Sequence, residues 1–64
     1  MNEIFKNLNG MFRERVRLGL TRKDIATAAQ VSERAIRSYE EGIAYPTKEV
    51  YYKLAQVFGW EVWP

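Results

Sequence analysis

The pattern of apolar positions in residues 21–42 predicts two short helices joined by a tight turn. Thr21 is a typical N-cap residue, and Asp24 three positions later is close to the pairing of a capping box. Apolar residues then recur on one face of the first helix, which is expected to end at about Ala29. The residues of this face are Ile25, Ala26 and Ala29.

The second helix of this stretch begins at Ser32, another N-cap residue, and Glu33 adds negative charge to its first turn. It buries Ile36 and Tyr39 and ends before Gly42, a typical C-terminal stop signal. Only two residues separate the two helices. This arrangement is typical of a helix-turn-helix.

An amphipathic first helix is predicted ahead of this motif, within residues 1–18. Apolar side chains recur there three and four positions apart, and we expect this face to join the core. The apolar positions are Ile4, Phe5, Leu8, Met11, Phe12, Val16 and Leu18. Asn9 can instead cap a helix that begins at Gly10, and Gly19 supplies the stop signal.

A further helix is predicted over about 47–58, after a loop in which Pro46 favours an extended Tyr45. Thr47 is its N-cap residue, and Gly59 ends it. Its inward positions are Val50, Tyr51, Leu54, Val57 and Phe58.

Two tryptophans, Trp60 and Trp63, lie in the short aromatic tail (59–64) that follows this helix. Two interpretations of the tail stay open. It covers the open end of the core, or it joins Ile43 and Tyr45 in an apolar surface for a protein partner.

The composition narrows the classes of function. Residues 1–64 are expected to form one domain, and they include no cysteine and no histidine. A disulfide or thiolate metal site is thereby excluded, and so is the commonest general base. There is no glycine-rich phosphate loop and no suitable carboxylate pair, so no enzyme, cofactor, metal site or small-molecule substrate is expected.

Charge and hydropathy favour a cytoplasmic protein. No apolar run approaches the ~20 residues that span a bilayer, and no signal-peptide pattern opens the chain. We therefore expect no membrane association. The formal net charge is +2 and the pI is about 9.2. This mild basicity permits nucleic-acid binding without requiring it.

From Arg15 to Gly59 the sequence resembles the Cro/repressor-type helix-turn-helix family, also called the XRE family. The matching positions are Arg15, Gly19-Leu20-Thr21, Ile25-Ala26, Val31-Ser32, Ile36, Tyr39-Glu40, Gly42, Pro46-Thr47, Leu54-Ala55 and Gly59. The resemblance implies an all-α fold, a compact bundle of four to five short helices like the lambda-repressor DNA-binding domain. It also implies a usually dimeric transcriptional regulator that binds double-stranded DNA.

The resemblance further implies a structural ion pair between Arg15 in the first helix and Glu40 at the end of the third. The residues themselves favour this pair, since Arg15 lies on the apolar side of its helix, where an unpaired charge is costly. Replacing Arg15 by Ala is expected to destabilise the fold by roughly 3 kcal/mol, because Glu40 would be stranded.

In this family the second helix of the motif enters the major groove of DNA. Carried over position by position, the resemblance places four residues at base edges, namely Ser32, Glu33, Arg34 and Ser38. Arg34 is expected to contact guanine O6 and N7, Glu33 to accept from cytosine N4, and Ser38 to serve either base type. The alternative for Glu33 and Arg34 is a solvated helix face with neighbouring opposite charges.

Phosphate contacts are expected from Arg22 and Lys23, which begin the motif's first helix beside free backbone N–H groups. Arg37 lies one helical turn beyond the base-contacting positions and is expected to reach a phosphate, or a base, at the groove edge.

The sequence departs from the family pattern at three places. The loop 41–45 carries Glu41 and no cation, which removes phosphate contacts that many members have. Gln30 stands where the family usually has glycine, and a positive φ there costs ~1 kcal/mol. Glu14 replaces a common leucine.

Two functions therefore stay open. The first is a sequence-specific regulator from a phage-like or mobile-element switch that reads DNA with helix 32–41. It would act as a symmetric homodimer through the tail tryptophans or helix 4. We expect no sensor domain, since these 64 residues leave no room for one. The second is an antirepressor or modulator on the same fold that binds another regulatory protein. Glu33, Glu40, Glu41 and the cation-free loop favour the second.

Overall fold

Four helices and no strand form the part of the chain that the computed structural model describes, which is residue 8 and residues 10–60. The helices are α1 Met11–Arg17, α2 Arg22–Ala29, α3 Glu33–Glu40 and α4 Lys48–Phe58. The predicted all-α bundle of short helices is confirmed, and α2 with α3 forms the predicted helix-turn-helix. None of these four helices is long and apolar enough to cross a membrane.

Side-chain caps begin α2, α3 and α4 at the predicted residues. The hydroxyl oxygens of Thr21, Ser32 and Thr47 each accept a hydrogen bond from the backbone N–H three residues on. At α2 the capping box is complete, because the Thr21 N–H also donates to Asp24 Oδ2 at 2.9 Å. These bonds satisfy N–H groups that a helix start otherwise leaves without an intrahelical acceptor.

Positive φ angles end the helices of the motif. Gly42 follows α3 with a φ of 74°, and Gln30 ends α2 with a φ of 60°. After Gln30 the chain closes with a bond from the Val31 N–H to the Ala26 carbonyl at 3.0 Å, the pattern of a Schellman motif. The family's glycine position is thus occupied by a left-handed glutamine, whose Oε1 accepts from Lys53 Nζ at 2.7 Å.

The core lies where α2, α3 and α4 meet, with α1 closing one side. Its buried members are Leu8, Met11, Ile25, Ala26, Ala29, Ile36, Tyr51 and Leu54. Half-buried apolar side chains pack around them, among them Leu20, Val31, Tyr39, Val50, Val57 and Phe58. The inward positions predicted for α2, α3 and α4 are therefore confirmed.

The prediction for the first helix is wrong in part. The helix begins at Met11, with Gly10 in the N-cap position and no side-chain cap. Phe12, Val16 and Leu18 are exposed rather than buried. The helix has seven residues, and Met11 and Arg15, one turn apart, occupy its inward row, so the neighbouring row faces outward. The predictions for Ile4, Phe5 and Asn9 lie outside the described residues.

Candidate nucleic-acid interface

The first turn of α3 presents the three leading base-contact candidates, Ser32, Glu33 and Arg34, and all three are exposed. The cap fixes this turn, since Ser32 Oγ accepts from the Ala35 N–H at 3.0 Å. The Ser32 hydroxyl hydrogen is left to donate outward. Arg34 forms no ion pair with any described residue.

Two rows of polar side chains run along α3 from this turn, because residues four apart are neighbours on a helix. Arg34 and Ser38 form one row, with Ser38 half-buried and its backbone carbonyl accepting from the Ile43 N–H at 3.0 Å. Glu33 and Arg37 form the other. The structure thus brings the four predicted base-contacting positions and Arg37 onto one helix.

Arg37 has an acidic neighbour on its own helix. Its Nε donates to Glu41 Oε2 at 3.1 Å, and both side chains are exposed. An exposed pair of this kind contributes little to stability. Because the pair is weak, a phosphate that approaches Arg37 can replace Glu41 as its partner.

The start of α2 carries the predicted phosphate contacts, Arg22 and Lys23. Their backbone N–H groups lead the helix and have no intrahelical acceptor, whereas the capping box takes up the N–H of Asp24. Hydrogen bonds from Thr21 hold the pKa of the Asp24 carboxyl below its ordinary value of 3.8, and the charge of Lys23 adds to this. Asp24 is therefore ionised at neutral pH and offsets part of the local positive charge.

Glu40 anchors the end of α3 to two other helices. Its side chain is only 3% exposed, and Arg15 Nε of α1 donates to its Oε2 at 2.7 Å. The predicted ion pair is thereby present. The Arg15 Nη1 also donates to the Leu20 carbonyl at 3.1 Å.

The same carboxylate has a second partner that sequence reasoning missed. Arg22 Nε donates to Glu40 Oε1 at 2.9 Å, with the Arg22 side chain 40% exposed. Arg22 thus has its guanidinium on Glu40 and lies at the helix start where a phosphate is expected. No signal in the sequence pointed to this contact, because it joins residues that are 18 positions apart.

The predicted protein-partner residues fall into separate groups. Ile43 and Tyr45 are exposed in the loop between α3 and α4. Trp60 is half-buried, and its ring stacks on Phe58 with centroids 4.9 Å apart. Its contact with the core favours the interpretation that it covers the open end. Trp63 lies outside the described residues.

The candidate interface on α2 and α3 combines hydrogen-bond donors with a buried ion-pair network that fixes the helices carrying them. Arg34 offers a two-pronged donor at the exposed helix start, and Arg22 and Lys23 offer positive charge at a second helix start. Glu40 with Arg15 and Arg22, which we call the Glu40 cluster, holds α1, α2 and α3 together.

Comparison with known proteins agrees with this geometry. A family model described as helix-turn-helix matches residues 11–61, a span that contains all four helices. No curated protein and no solved structure shows significant similarity to the chain.

Proposed function

The chain belongs to the Cro/repressor-type helix-turn-helix family of DNA-binding transcription regulators, and we propose that it reads a specific DNA sequence with α3. One observation carries the proposal. Arg34 stands exposed in the capped first turn of a helix whose other end is held by the buried Glu40. A guanidinium so placed matches the O6 and N7 acceptors of a guanine in the major groove.

The remaining residues of the interface take the roles that their chemistry allows. Glu33 accepts from cytosine N4, and Ser32 and Ser38 supply hydroxyls that serve either base type. Arg22, Lys23 and Arg37 contact phosphates and fix the orientation of the domain on the duplex. The exposed Glu33 and Glu41 keep nonspecific binding weak, because each reduces the attraction to the phosphate backbone.

The proposal is tested by selecting preferred duplexes from a random pool and measuring affinity over a salt series. Arg34→Ala should lose about 1–3 kcal/mol of discrimination at one base position. Arg17→Ala, an exposed arginine of α1, is the matched control and should leave discrimination unchanged. Equal affinity of the wild type for all duplexes, or a uniform loss in Arg34→Ala, would contradict sequence reading.

We also propose that the regulator acts as a symmetric homodimer. Two recognition helices would then meet half-sites about one helical turn, ~34 Å, apart. Light scattering with and without duplex gives the oligomeric state. Lengthening the spacer by about half a turn should abolish cooperative binding, whereas a monomer would tolerate the longer spacer. The origin in a phage or mobile-element switch stays a prediction.

The exposed loop between α3 and α4 favours a second candidate, an antirepressor that binds another regulator. Ile43 is 74% exposed and Tyr45, two residues on, is 54% exposed, and large apolar side chains at the surface often mark contacts. This candidate predicts that no duplex is selected at moderate salt. It also predicts that Ile43→Ser, but not Arg34→Ala, removes association with the other regulator.

A further inference from the structure

The outward side of α1 carries two apolar side chains that the core does not use. Phe12 is 50% exposed and Val16 is 56% exposed. Single exposed apolar residues are ordinary, but these two are four apart on one helix and therefore lie next to each other. They form a short continuous apolar row.

A basic row runs beside the apolar one. Successive helical residues are rotated by about 100°, so Arg13 and Arg17 lie next to Phe12 and Val16 on the solvent side. We call these four residues the outer face of α1.

The arginines of the outer face are poorly compensated within the described part of the chain. Arg13 makes no ion pair there, and Arg17 meets Glu14 only at 3.4 Å, in the open. Like charges four apart on a helix repel each other. The isolated domain thus keeps two cations together next to apolar surface, an arrangement that an acidic partner would relieve.

The ring of Phe12, the aromatic residue of the outer face, is held in place by a contact with Arg15. The Arg15 guanidinium lies 5.3 Å from the centroid of the Phe12 ring, within the range of a cation–π contact. Arg15 in turn is fixed by the buried Glu40. A side chain that is already oriented loses less freedom on binding, which makes Phe12 a suitable anchor.

We propose that the outer face of α1 binds an amphipathic helix of another protein that carries an apolar row flanked by Asp or Glu. The apolar row of the partner packs along Phe12 and Val16, and its carboxylates meet Arg13 and Arg17. A helix presents rows with the same spacing, so the two can interlock. This surface is separate from the α2 and α3 residues proposed to contact DNA, and it does not depend on that proposal.

The size of the surface sets the kind of contact. Two turns of one helix bury far less than the ~1,200 Å² of a standard interface. The complex is therefore a transient one, and its specificity comes from the sign of the charges.

Two synthetic helical peptides test the proposal. Both carry the same leucine row, which is flanked by glutamates in one peptide and by lysines in the other. Titrations of the isotope-labelled full chain are followed by NMR. The acidic peptide should bind about tenfold more tightly, since each exposed ion pair adds a little and each like-charge pair removes it. The shifted signals should centre on Phe12 and Val16.

Charge reversal then provides the decisive control. The double variant Arg13→Glu/Arg17→Glu should prefer the lysine peptide, whereas Lys48→Glu/Lys53→Glu, with the same change of charge on α4, should keep the wild-type preference. A circular dichroism melt of each variant confirms that it is folded. Phe12→Ser should weaken the binding of both peptides, in the wild-type chain and in Arg13→Glu/Arg17→Glu.

Several outcomes would overturn the proposal. Equal binding of both peptides, no binding, or shifts centred on α3 would each exclude an acidic partner at this face. So would signals of Phe12 that depend on protein concentration alone, which indicate a second copy, or contacts from Trp63 to Phe12 in the free chain. Equal binding to anionic phosphatidylserine vesicles, or a lower salt dependence of duplex binding in Arg13→Glu/Arg17→Glu, would assign the arginines to other anions.

Discussion

Two adjacent glutamates at the end of α3 both pair with arginines, yet they serve opposite purposes. The Glu40 side chain is 3% exposed and binds Arg15 and Arg22 from two other helices. The Glu41 side chain is 44% exposed and binds Arg37, one turn back on the same helix. The chemistry of the two pairs is the same, and only their burial and connectivity differ.

The difference in burial gives the two glutamates different roles: Glu40 stabilises the fold, and Glu41 makes an exchangeable contact at the surface. A buried carboxylate that loses its partners keeps the full desolvation penalty, so the Glu40 cluster cannot open without loss of folding free energy. An exposed pair is screened by water and salt, and either member can take another partner at little cost. Arg37 is therefore available to a phosphate, whereas Arg15 is not.

The largest expected effect follows directly from this contrast. Glu40→Ala should lower the free energy of unfolding by about 3–5 kcal/mol, because it leaves the buried Arg15 uncompensated. Glu41→Ala, one residue on, should change it by less than about 0.5 kcal/mol. Urea denaturation of the two variants measures both values. Similar losses in the two would show that burial does not distinguish the pairs.

The second partner of Glu40 revises the effect expected for Arg15→Ala. The sequence alone predicts a stranded carboxylate, but Arg22 Nε lies 2.9 Å from Glu40 Oε1 and should remain a partner of Glu40 when Arg15 is removed. The loss should therefore be smaller than that of Glu40→Ala. The double variant Arg15→Ala/Arg22→Ala should lose more than the sum of the single variants, since only then is the carboxylate left alone.

Arg22 and Arg37 sharpen the comparison between stability and DNA binding. Each should reduce duplex affinity evenly across sequences when replaced by Ala, and should lower the salt dependence by about one unit. Only Arg22→Ala should also destabilise the fold, by about 1 kcal/mol, because its charged hydrogen bond is half-exposed. Urea denaturation and a salt series on the same samples separate the two effects. An unfolding change in Arg37→Ala would contradict the assignment.

The contacts that residue type and spacing predicted without the family resemblance are short-range in the chain. Thr21, Ser32 and Thr47 bond to N–H groups three residues away, and such caps depend on residue type and spacing alone. The Arg15–Glu40 pair spans 25 residues and was predicted with the help of the family resemblance.

The contacts that were missed depend on how the helices pack. Nothing in the spacing of Arg22 or Lys53 shows that they reach Glu40 and Gln30, respectively. The exposure of Phe12 and Val16 follows from the packing of α1 on the core through Met11 and Arg15, and the spacing of apolar residues alone does not show which row faces inward. The candidate base contacts lie along α3 and at its N-cap, and their contact with bases stays a prediction.

Gln30 offers a smaller test of how little an exposed polar contact contributes. Gln30→Gly relieves the positive φ, worth about 1 kcal/mol, and gives up the exposed bond to Lys53. If exposed contacts are weak, the free energy of unfolding of Gln30→Gly, measured by urea denaturation, should rise by nearly the full ~1 kcal/mol. In a Lys53→Met background neither the glutamine nor the glycine at position 30 can form the bond, so the substitution measures the effect of the backbone alone. A loss of stability in the wild-type background alone would show that the Gln30–Lys53 bond outweighs the backbone strain.

Asp24 gives the smallest effect, and this effect should depend on pH. Hydrogen bonds from Thr21 hold its pKa below 3.8 in the folded chain, so the folded state binds fewer protons than the unfolded state near that pH. The stabilisation is present above about pH 3.8 and is lost as the pH falls through the lowered pKa. Asp24→Asn keeps the acceptor oxygen but not the charge. Its stability should therefore lie below that of the wild type at pH 6 and approach it as the pH falls below 3.8 and through the lowered pKa of Asp24. A gap that stays constant across this range would show that the charge of the exposed carboxylate, like that of Glu41, contributes nothing measurable.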